Sequence, residues 1–128
     1  MDGVIPLLER SLHLSPRDPS IYNSYNFLGL VHLVQSRIDE AIIWLERARN
    51  ANQLHPLIPG HLAAAYGLKG DTERAAAELA AARRLSSDGR YSNIARLKAS
   101  GYFGVPKIRA LYEDTLFAGL RLAGMPEE

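Results

Sequence analysis

Apolar and small residues recur along this chain at the spacing of one helix face. The i, i+3, i+4, i+7 rule of an amphipathic helix is met in two neighbouring segments, by Leu28, Val31, His32 and Gln35 and then by Ala41, Trp44, Leu45 and Ala48. Only Gln35–Arg37 separates the two segments. A connection this short joins antiparallel neighbours, so the pattern predicts a helical hairpin.

The hairpin pattern recurs 34 residues further along the chain. The matched positions are Leu28 with Leu62, Gly29 with Ala63, His32 with Tyr66, Ser36 with Gly70, Ala41 with Ala75, Leu45 with Leu79, and Ala48 with Ala82. The small residues let the two helices of a hairpin approach closely, while the leucines fill the seam between them. Such a hairpin cannot bury its apolar faces alone, so we expect neighbouring hairpins to stack.

This 34-residue unit resembles the tetratricopeptide repeat, whose pattern is W-x2-L-G-x2-Y followed by A-x3-F and A. The corresponding residues are Tyr25, Leu28, Gly29 and His32 with Ala41, Leu45 and Ala48, then Pro59, Leu62, Ala63 and Tyr66 with Ala75, Leu79 and Ala82. The resemblance implies an all-α fold, a right-handed α-α superhelix of antiparallel hairpins. Gln53 and Ser87 replace the proline near the repeat end. Because proline is tolerated in a first helical turn, we expect Pro59 to start its helix rather than break it.

In that frame residues 1–128 form one domain of four parts. These are a half repeat at 3–19, full repeats at 22–55 and 56–89, and a degenerate repeat or capping hairpin at 90–128. In the last part we expect helices over 91–100 and 106–123, ended by Gly124. Since the half repeat lacks its first helix, we expect the chain to have been cut from a longer protein.

Composition narrows the possible chemistry. The 128 residues include no cysteine, which excludes thiol catalysis, zinc-thiolate sites and disulfides and fits a reducing compartment. Fifteen basic against fourteen acidic residues give a net charge of +1, too balanced for a field that gathers nucleic acid or anionic lipid. No apolar run approaches the roughly 20 residues that span a bilayer. We therefore expect a cytoplasmic protein without membrane contact.

One segment carries a local excess of basic residues. Positions 83–109 hold seven lysines and arginines against the single acid Asp88, with Tyr91, Tyr102 and Phe103 nearby. Aromatic and basic residues interleaved in this way occur in single-strand nucleic-acid sites. Arginines near helix ends also complement the helix dipole and solubilise an Ala-rich helix. The second interpretation is favoured, and nucleic acid is not expected as a partner.

Candidate catalytic groups are scattered. The four histidines have no metal-ligand spacing, and the chain has neither a glycine-rich phosphate loop nor a serine elbow. His32 occupies an aromatic slot of the repeat, and Glu113 and Asp114 are adjacent and so diverge on a helix. We therefore expect no enzyme, no metal and no cofactor, with an enzyme acting through His61 as the remaining alternative.

Binding is the function that the repeats favour, because stacked hairpins form a concave surface lined by their first helices. The residues predicted to line it are Asn23, Asn26, Phe27, Leu30 and Leu33, then Gly60, His61, Ala64 and Leu68. Tetratricopeptide proteins that clamp terminal carboxylates use lysine, asparagine and arginine there, and Leu30, Gly60 and Ala64 replace such groups. The sequence therefore predicts an apolar groove with two amides and one imidazole, suited to a protein helix or extended peptide.

Two alternatives to a bound peptide stay open. The groove could be filled by the protein itself or by a neighbouring part of a longer chain, in which case Phe27 and Leu30 are core residues. The apolar face of the half repeat, with Leu7 and Leu8, could also pair between two chains as a symmetric homodimer.

A narrower resemblance concerns the order of the parts. A half repeat ending in residues 14–19, two repeats and a tail over residues 118–127 are similar to the C-terminal repeat region of bacterial multidomain adenylate cyclase-like signalling proteins. The resemblance implies a regulatory module that recruits a partner and modulates cyclic-nucleotide output. A nucleotidyl cyclase domain would then belong to the larger parent, outside this chain.

Overall fold

Four helices of thirteen or fourteen residues pair in the way that the repeat pattern predicts. The computed structural model describes residues 21–86, 89–100 and 110–128. The four helices are α1 (Ile21–Val34), α2 (Ile38–Ala51), α3 (Leu57–Lys69) and α4 (Thr72–Leu85). Helix α1 packs on α2 and α3 packs on α4, while contacts between α2 and α3 join the two hairpins. The regular structure within the described ranges is entirely helical.

The seam of the first hairpin closes at Gly29. A Cβ atom at that position would stand 2.6 Å from Cδ2 of Leu45, so a larger residue could fit only by displacing the leucine. Leu28 and Leu45 are fully buried, as is Leu62, and Leu79 is buried at 3% exposure. The predicted leucine seam is therefore confirmed in both hairpins.

Both hairpin turns use a residue in the left-handed region at the same repeat position. Ser36 has φ +62° and Gly70 has φ +92°. In each turn the N–H of the following residue donates to the carbonyl oxygen five residues back, at 2.8 Å and 3.0 Å. Ser36 carries a Cβ atom and so bears a steric cost that Gly70 avoids.

Helix α3 accommodates Pro59 in its first turn. The helix begins at Leu57 and continues without a break to Lys69. The first four N–H groups of a helix have no intrahelical partner, so the missing N–H of Pro59 removes no helical hydrogen bond. The expectation that this proline does not break the helix is confirmed, although the helix starts two residues earlier.

The C-terminal part contains α5 (Ile94–Ser100), a π-helical turn (Glu113–Phe117) and α6 (Ala118–Leu122). The prediction that α5 begins at residue 91 is wrong. The helix begins at Ile94 instead, because the side-chain oxygen of Asn93 accepts a hydrogen bond from the backbone N–H of Arg96 at 2.8 Å and so caps the helix. The expected stop is confirmed, since Gly124 follows α6 with φ +107°.

The end of the chain caps α5. The N–H groups of Ile94 and Ala95 donate to the carbonyl oxygens of Pro126 and Glu127, at 2.8 Å and 3.0 Å. These N–H groups belong to the first turn of α5 and lack helical acceptors. Met125, which follows α6 in the sequence and precedes these two acceptor residues, is buried at 3% exposure. The C-terminal tail is therefore hydrogen-bonded to the first turn of α5.

One apolar core includes both hairpins and the last helix. Its buried members include Leu45, Leu62, Leu79, Phe117 and Leu120. None of the helices in the described ranges is long and apolar enough to cross a membrane. The half repeat at 3–19, residues 101–109 and with them the predicted start of the last helix at 106 lie outside the described residues.

Candidate partner-binding site

The residues predicted to line the concave groove lie in three different environments. Asn23 and Phe27 are exposed, Phe27 at 45%. Asn26, Leu30 and Leu68 are half-buried, while His61 and Ala64 are buried at 7% and 0%. Leu33 and Gly60, also predicted there, are buried. The two exposed residues of the predicted set therefore both lie on α1.

The middle of α3 is covered by the C-terminal helix of the same chain. A Cβ atom on Gly119 would stand 2.7 Å from Cα of Ala64, so the two helices touch backbone to backbone. A Cβ atom on Gly67 would stand 3.1 Å from the carbonyl carbon of Gly119 and 3.3 Å from Cβ of Leu122. With α6 in place, Ala64 cannot be reached by another molecule.

The start of α3 is covered in the same manner by Tyr91. A Cβ atom on Gly60 would stand 2.5 Å from Cζ of the tyrosine ring, which is itself 2% exposed. Gly60, Ala64 and Gly67 follow the i, i+4, i+7 spacing of one helix face. We call this face the α3 groove. The chain fills it with its own residues, which was one of the two occupants left open by the sequence.

Asn26 and His61 form a hydrogen-bonded pair between α1 and α3. Nδ1 of His61 lies 2.8 Å from the side-chain oxygen of Asn26, so the imidazole donates when its proton is on Nδ1. Burial lowers the pKa of His61 to about 4, with a smaller contribution from His55. The imidazole is therefore neutral at pH 7. The sequence placed both residues in the groove but did not pair them.

Asn23 and Phe27 lie one helical turn apart and so share a face of α1. Neighbouring aromatic residues of this helix are engaged elsewhere. Tyr22 packs on His55 with ring centroids 5.5 Å apart, and Tyr25 packs on Trp44 at 5.8 Å. Phe27 is the exposed aromatic residue that remains on the described part of α1. We call Asn23 and Phe27 the α1 face.

Ion pairs hold the C-terminal elements together on their outer side. Glu113 of the π-helical turn pairs with Lys98 at 2.8 Å and with Arg121 at 2.5 Å, and Arg121 also pairs with Glu127. The hydrogen bond from Lys98, together with Arg121, lowers the pKa of the Glu113 carboxyl. Lys98 also lies 5.1 Å from the ring centre of Phe117.

Two residues of the basic segment are thus used inside the chain. Lys98 pairs with Glu113, and Arg83 donates to the carbonyl oxygens of Tyr91 and Ser92 at 2.9 Å and 3.3 Å. Arg83 therefore fastens the segment that carries Tyr91 onto the α3 groove. This contact of Arg83 is structural.

A polar network connects the two hairpins. The Tyr66 hydroxyl donates to Glu46 at 2.8 Å, and Arg49 donates hydrogen bonds to both Glu46 and Glu78.

Within the ranges that the structure describes, no three acidic or histidine side chains are grouped closely enough to hold a metal ion.

Compared with known protein families, with curated proteins and with solved structures, the chain has no significant match. A functional assignment therefore depends on the contacts of this chain itself.

Proposed function

We propose that this chain is a protein–protein interaction scaffold of the tetratricopeptide type, which binds an apolar peptide or helix on its concave side. The observation that carries the proposal is the exposure of Phe27, at 45%, on the first helix of a stacked hairpin pair. Asn23 lies exposed one turn away. An aromatic ring beside a free amide offers one group for an apolar side chain and one for peptide backbone.

The repeated geometry supports the assignment to this repeat class. The two hairpins share a buried leucine seam, and their turns use a left-handed residue at the same repeat position. The second helix of one hairpin packs on the first helix of the next, which is the nearest-neighbour arrangement of a solenoid. We extend the proposal to the right-handed superhelix that the resemblance implies.

The accessible ligand surface in this proposal is the α1 face. Phe27 and Asn23 are exposed with α6 in place, so a ligand reaches them without any rearrangement. Leu30, half-buried beside them, would border the bound segment. The partner is a short amphipathic protein segment with one large apolar side chain that packs on the Phe27 ring.

The wider context is part of the same proposal. The tail over residues 118–127 resembles that of bacterial adenylate cyclase-like proteins, which supports a cytoplasmic regulatory module within a larger signalling protein. The coding sequence upstream of this chain tests that context. An adjoining nucleotidyl cyclase or winged-helix domain supports it, and a gene without either removes it while leaving the scaffold function standing.

Selection from a random peptide library, followed by fluorescence polarisation, tests the scaffold function. Peptides enriched on the native chain should bind the Phe27→Glu variant at least about tenfold more weakly, a loss of about 1.4 kcal/mol. Ile43→Glu is the matched control, since Ile43 is a comparably exposed apolar residue, at 53%, on α2. It should leave the affinity unchanged.

Two results would oppose the proposal. One is equal binding to the native chain and to the Phe27→Glu variant. The other is a constitutive dimer in light scattering that neither substitution disturbs, combined with no peptide enrichment, which would favour the homodimer alternative.

A further inference from the structure

One face of α3 lies against the first hairpin. Ile58, His61 and Ala65 follow the i, i+3, i+7 spacing of that face, and they are 0%, 7% and 0% exposed. At its centre Nδ1 of His61 lies 2.8 Å from the side-chain oxygen of Asn26 on α1. The first helix of one hairpin therefore packs on this face of the first helix of the next.

The corresponding face of α1 is partly open. The 34-residue repeat gives its members, Ser24, Phe27 and Val31. Val31 is buried at 1% exposure, whereas Ser24 is half-buried and Phe27 is 45% exposed. Phe27 is thus exposed at the position where, one repeat later, His61 is covered by a helix. We call Ser24, Phe27 and Val31 the stacking face of α1.

The contacts between α1 and the second repeat also show the direction of the covering helix. Tyr22 packs on His55 with ring centroids 5.5 Å apart, and Asn26, four residues later, meets His61. The positions on both sides increase together, so α1 runs parallel to α3. The two side chains of α1 are spaced i and i+4, which places them on one helix face.

The stacking face favours an apolar and uncharged contact. Helix α1 carries no lysine, arginine, aspartate or glutamate from Ile21 to Val34. The Phe27 side chain has no polar atom, so an amide over it would lack the hydrogen bond that Asn26 makes with His61. A charged side chain packed on the ring would lose hydration without gaining a partner. An aliphatic side chain loses no polar contact and buries apolar area of both residues.

We propose that the stacking face of α1 receives the α-helix of a partner protein, which runs parallel to α1 and packs on Phe27 as α1 itself packs on His61. This inference rests on the proposed scaffold function and specifies its ligand. The occupant is an amphipathic helix with aliphatic side chains at i and i+4 and no charge on that face. The interface continues the stacking of first helices by one further unit.

The probe is a synthetic peptide of about 18 residues, long enough to be helical in water, made of alanine, glutamate and lysine. Two leucines four residues apart give it one apolar face, and the matched control peptide has its leucines two residues apart, on different faces. Fluorescence polarisation with the full 128-residue chain should show at least about tenfold tighter binding of the first peptide. Equal affinities, or binding of neither peptide, overturn the proposal.

Two arginine substitutions separate the two sides of Phe27. Ser24 belongs to the stacking face, whereas Asn23 lies on the other side of the phenylalanine around the helix. Ser24→Arg should weaken binding of the probe peptide at least about tenfold, because it introduces a charge into an apolar contact. Asn23→Arg is the matched control and should leave the affinity within about threefold. A larger loss for Asn23→Arg overturns the placement of the helix.

The direction of the bound helix is tested by paramagnetic relaxation in nuclear magnetic resonance spectra. Helix α1 is about 20 Å long, so a nitroxide at one end of the peptide affects one end of α1 more than the other. A label at the N-terminal end of the probe peptide should broaden the amide signal of Tyr22 more than that of Val31. A label at the C-terminal end should do the reverse. The opposite pattern overturns the parallel arrangement.

Two other occupants of the stacking face are distinguished with Phe27→Glu. If the chain's own residues covered the ring, this substitution would lower the urea midpoint of unfolding. If a second copy covered it, light scattering would show a dimer that the substitution dissociates. Either result overturns the proposal, which predicts a monomer with an unchanged midpoint.

The failure of this inference can be told apart from the failure of the scaffold function. Library peptides that require Phe27, yet gain no helical circular dichroism on binding and tolerate Ser24→Arg, would overturn the helix arrangement and leave the scaffold function standing. Peptides that bind equally well to the native chain and to Phe27→Glu would overturn both.

Discussion

Gly119 lies against the backbone of Ala64, and a Cβ atom added to the glycine would stand 2.7 Å from Cα of Ala64. Real side chains do not tolerate that separation, so the contact between α6 and α3 exists only because position 119 is glycine. The last helix is thereby part of the same core as the two hairpins. The face of α3 that was predicted to be concave is a covered surface and not an open cleft.

Gly119→Ala should destabilise the protein even though alanine is the better helix former. The helix preference gains about 1 kcal/mol, while the added methyl group forces two backbones apart, at a cost of about 1–3 kcal/mol or more. Urea unfolding gives the free-energy change directly. Asp114→Ala, at an exposed position of the preceding turn, is the control and should change it by less than about 0.5 kcal/mol. A more stable Gly119→Ala chain would show that the backbone contact is absent.

The two left-handed turn residues predict opposite effects from complementary substitutions. Ser36→Gly should stabilise the protein by about 0.5–1 kcal/mol, because it removes the Cβ clash at φ +62°. Gly70→Ala should destabilise it by about 1 kcal/mol for the same reason at φ +92°. Thermal unfolding monitored by circular dichroism measures both. Equal shifts in the same direction would contradict the shared turn geometry.

Acid should destabilise the protein through His61. Its pKa is lowered to about 4 in the folded chain, mainly by burial, and returns to about 6.5 on unfolding. Between these values the unfolded chain binds more protons, so the free energy of unfolding falls as the pH decreases from 6.5 towards 4. The loss is at most about 3 kcal/mol.

The measurement is urea unfolding of the native and His61→Gln chains between pH 7 and pH 4.5. The native curve should fall more steeply, because glutamine does not titrate. His55→Gln is the control. Burial also lowers the pKa of His55, but this residue is only half-buried, so its replacement should change the pH dependence less than His61→Gln does. Parallel curves for the native and His61→Gln chains would show that His61 is not buried as described.

The polar contacts between hairpins should differ in strength according to their burial. Tyr66→Phe removes the hydrogen bond that the hydroxyl group of the buried Tyr66 ring donates to Glu46. It should lower the free energy of unfolding by about 1 kcal/mol. Asp39→Asn breaks the ion pair with Lys69, both of whose side chains are more than half exposed, and should cost less than about 0.5 kcal/mol. Chemical unfolding distinguishes the two. A larger loss for Asp39→Asn would reverse this ranking.

The hairpins could be predicted from the sequence because their determinants are local. Leu28, Leu45 and Gly29 lie within 17 residues of one another, and the 34-residue repeat presents the same pattern twice. The repeat also aligned Ser36 with Gly70, and the structure shows that both turn residues are left-handed, which the alignment alone did not specify. Pattern and chain connectivity suffice for such neighbours in sequence.

The covering of the α3 groove could not be predicted in the same way. Ala64 was predicted to face the groove, and it does face α6, yet nothing near Ala64 in the sequence identifies Gly119 as its neighbour. The contact joins positions 55 residues apart through a part of the chain with no repeat pattern. The pairing of Asn26 with His61 is likewise a contact between hairpins. The spacing of Gly60, Ala64 and Gly67 was the available signal that another helix packs there.

Double electron–electron resonance tests the central claim most directly, because the chain has no cysteine of its own. Spin labels on Ile43→Cys and Leu122→Cys, both at exposed positions, report the distance from α2 to α6. The native background should give one narrow distance. Gly119→Leu should add a broad, longer population, because the leucine side chain forces α6 away from Ala64. A distance distribution that Gly119→Leu leaves unaltered would contradict the account.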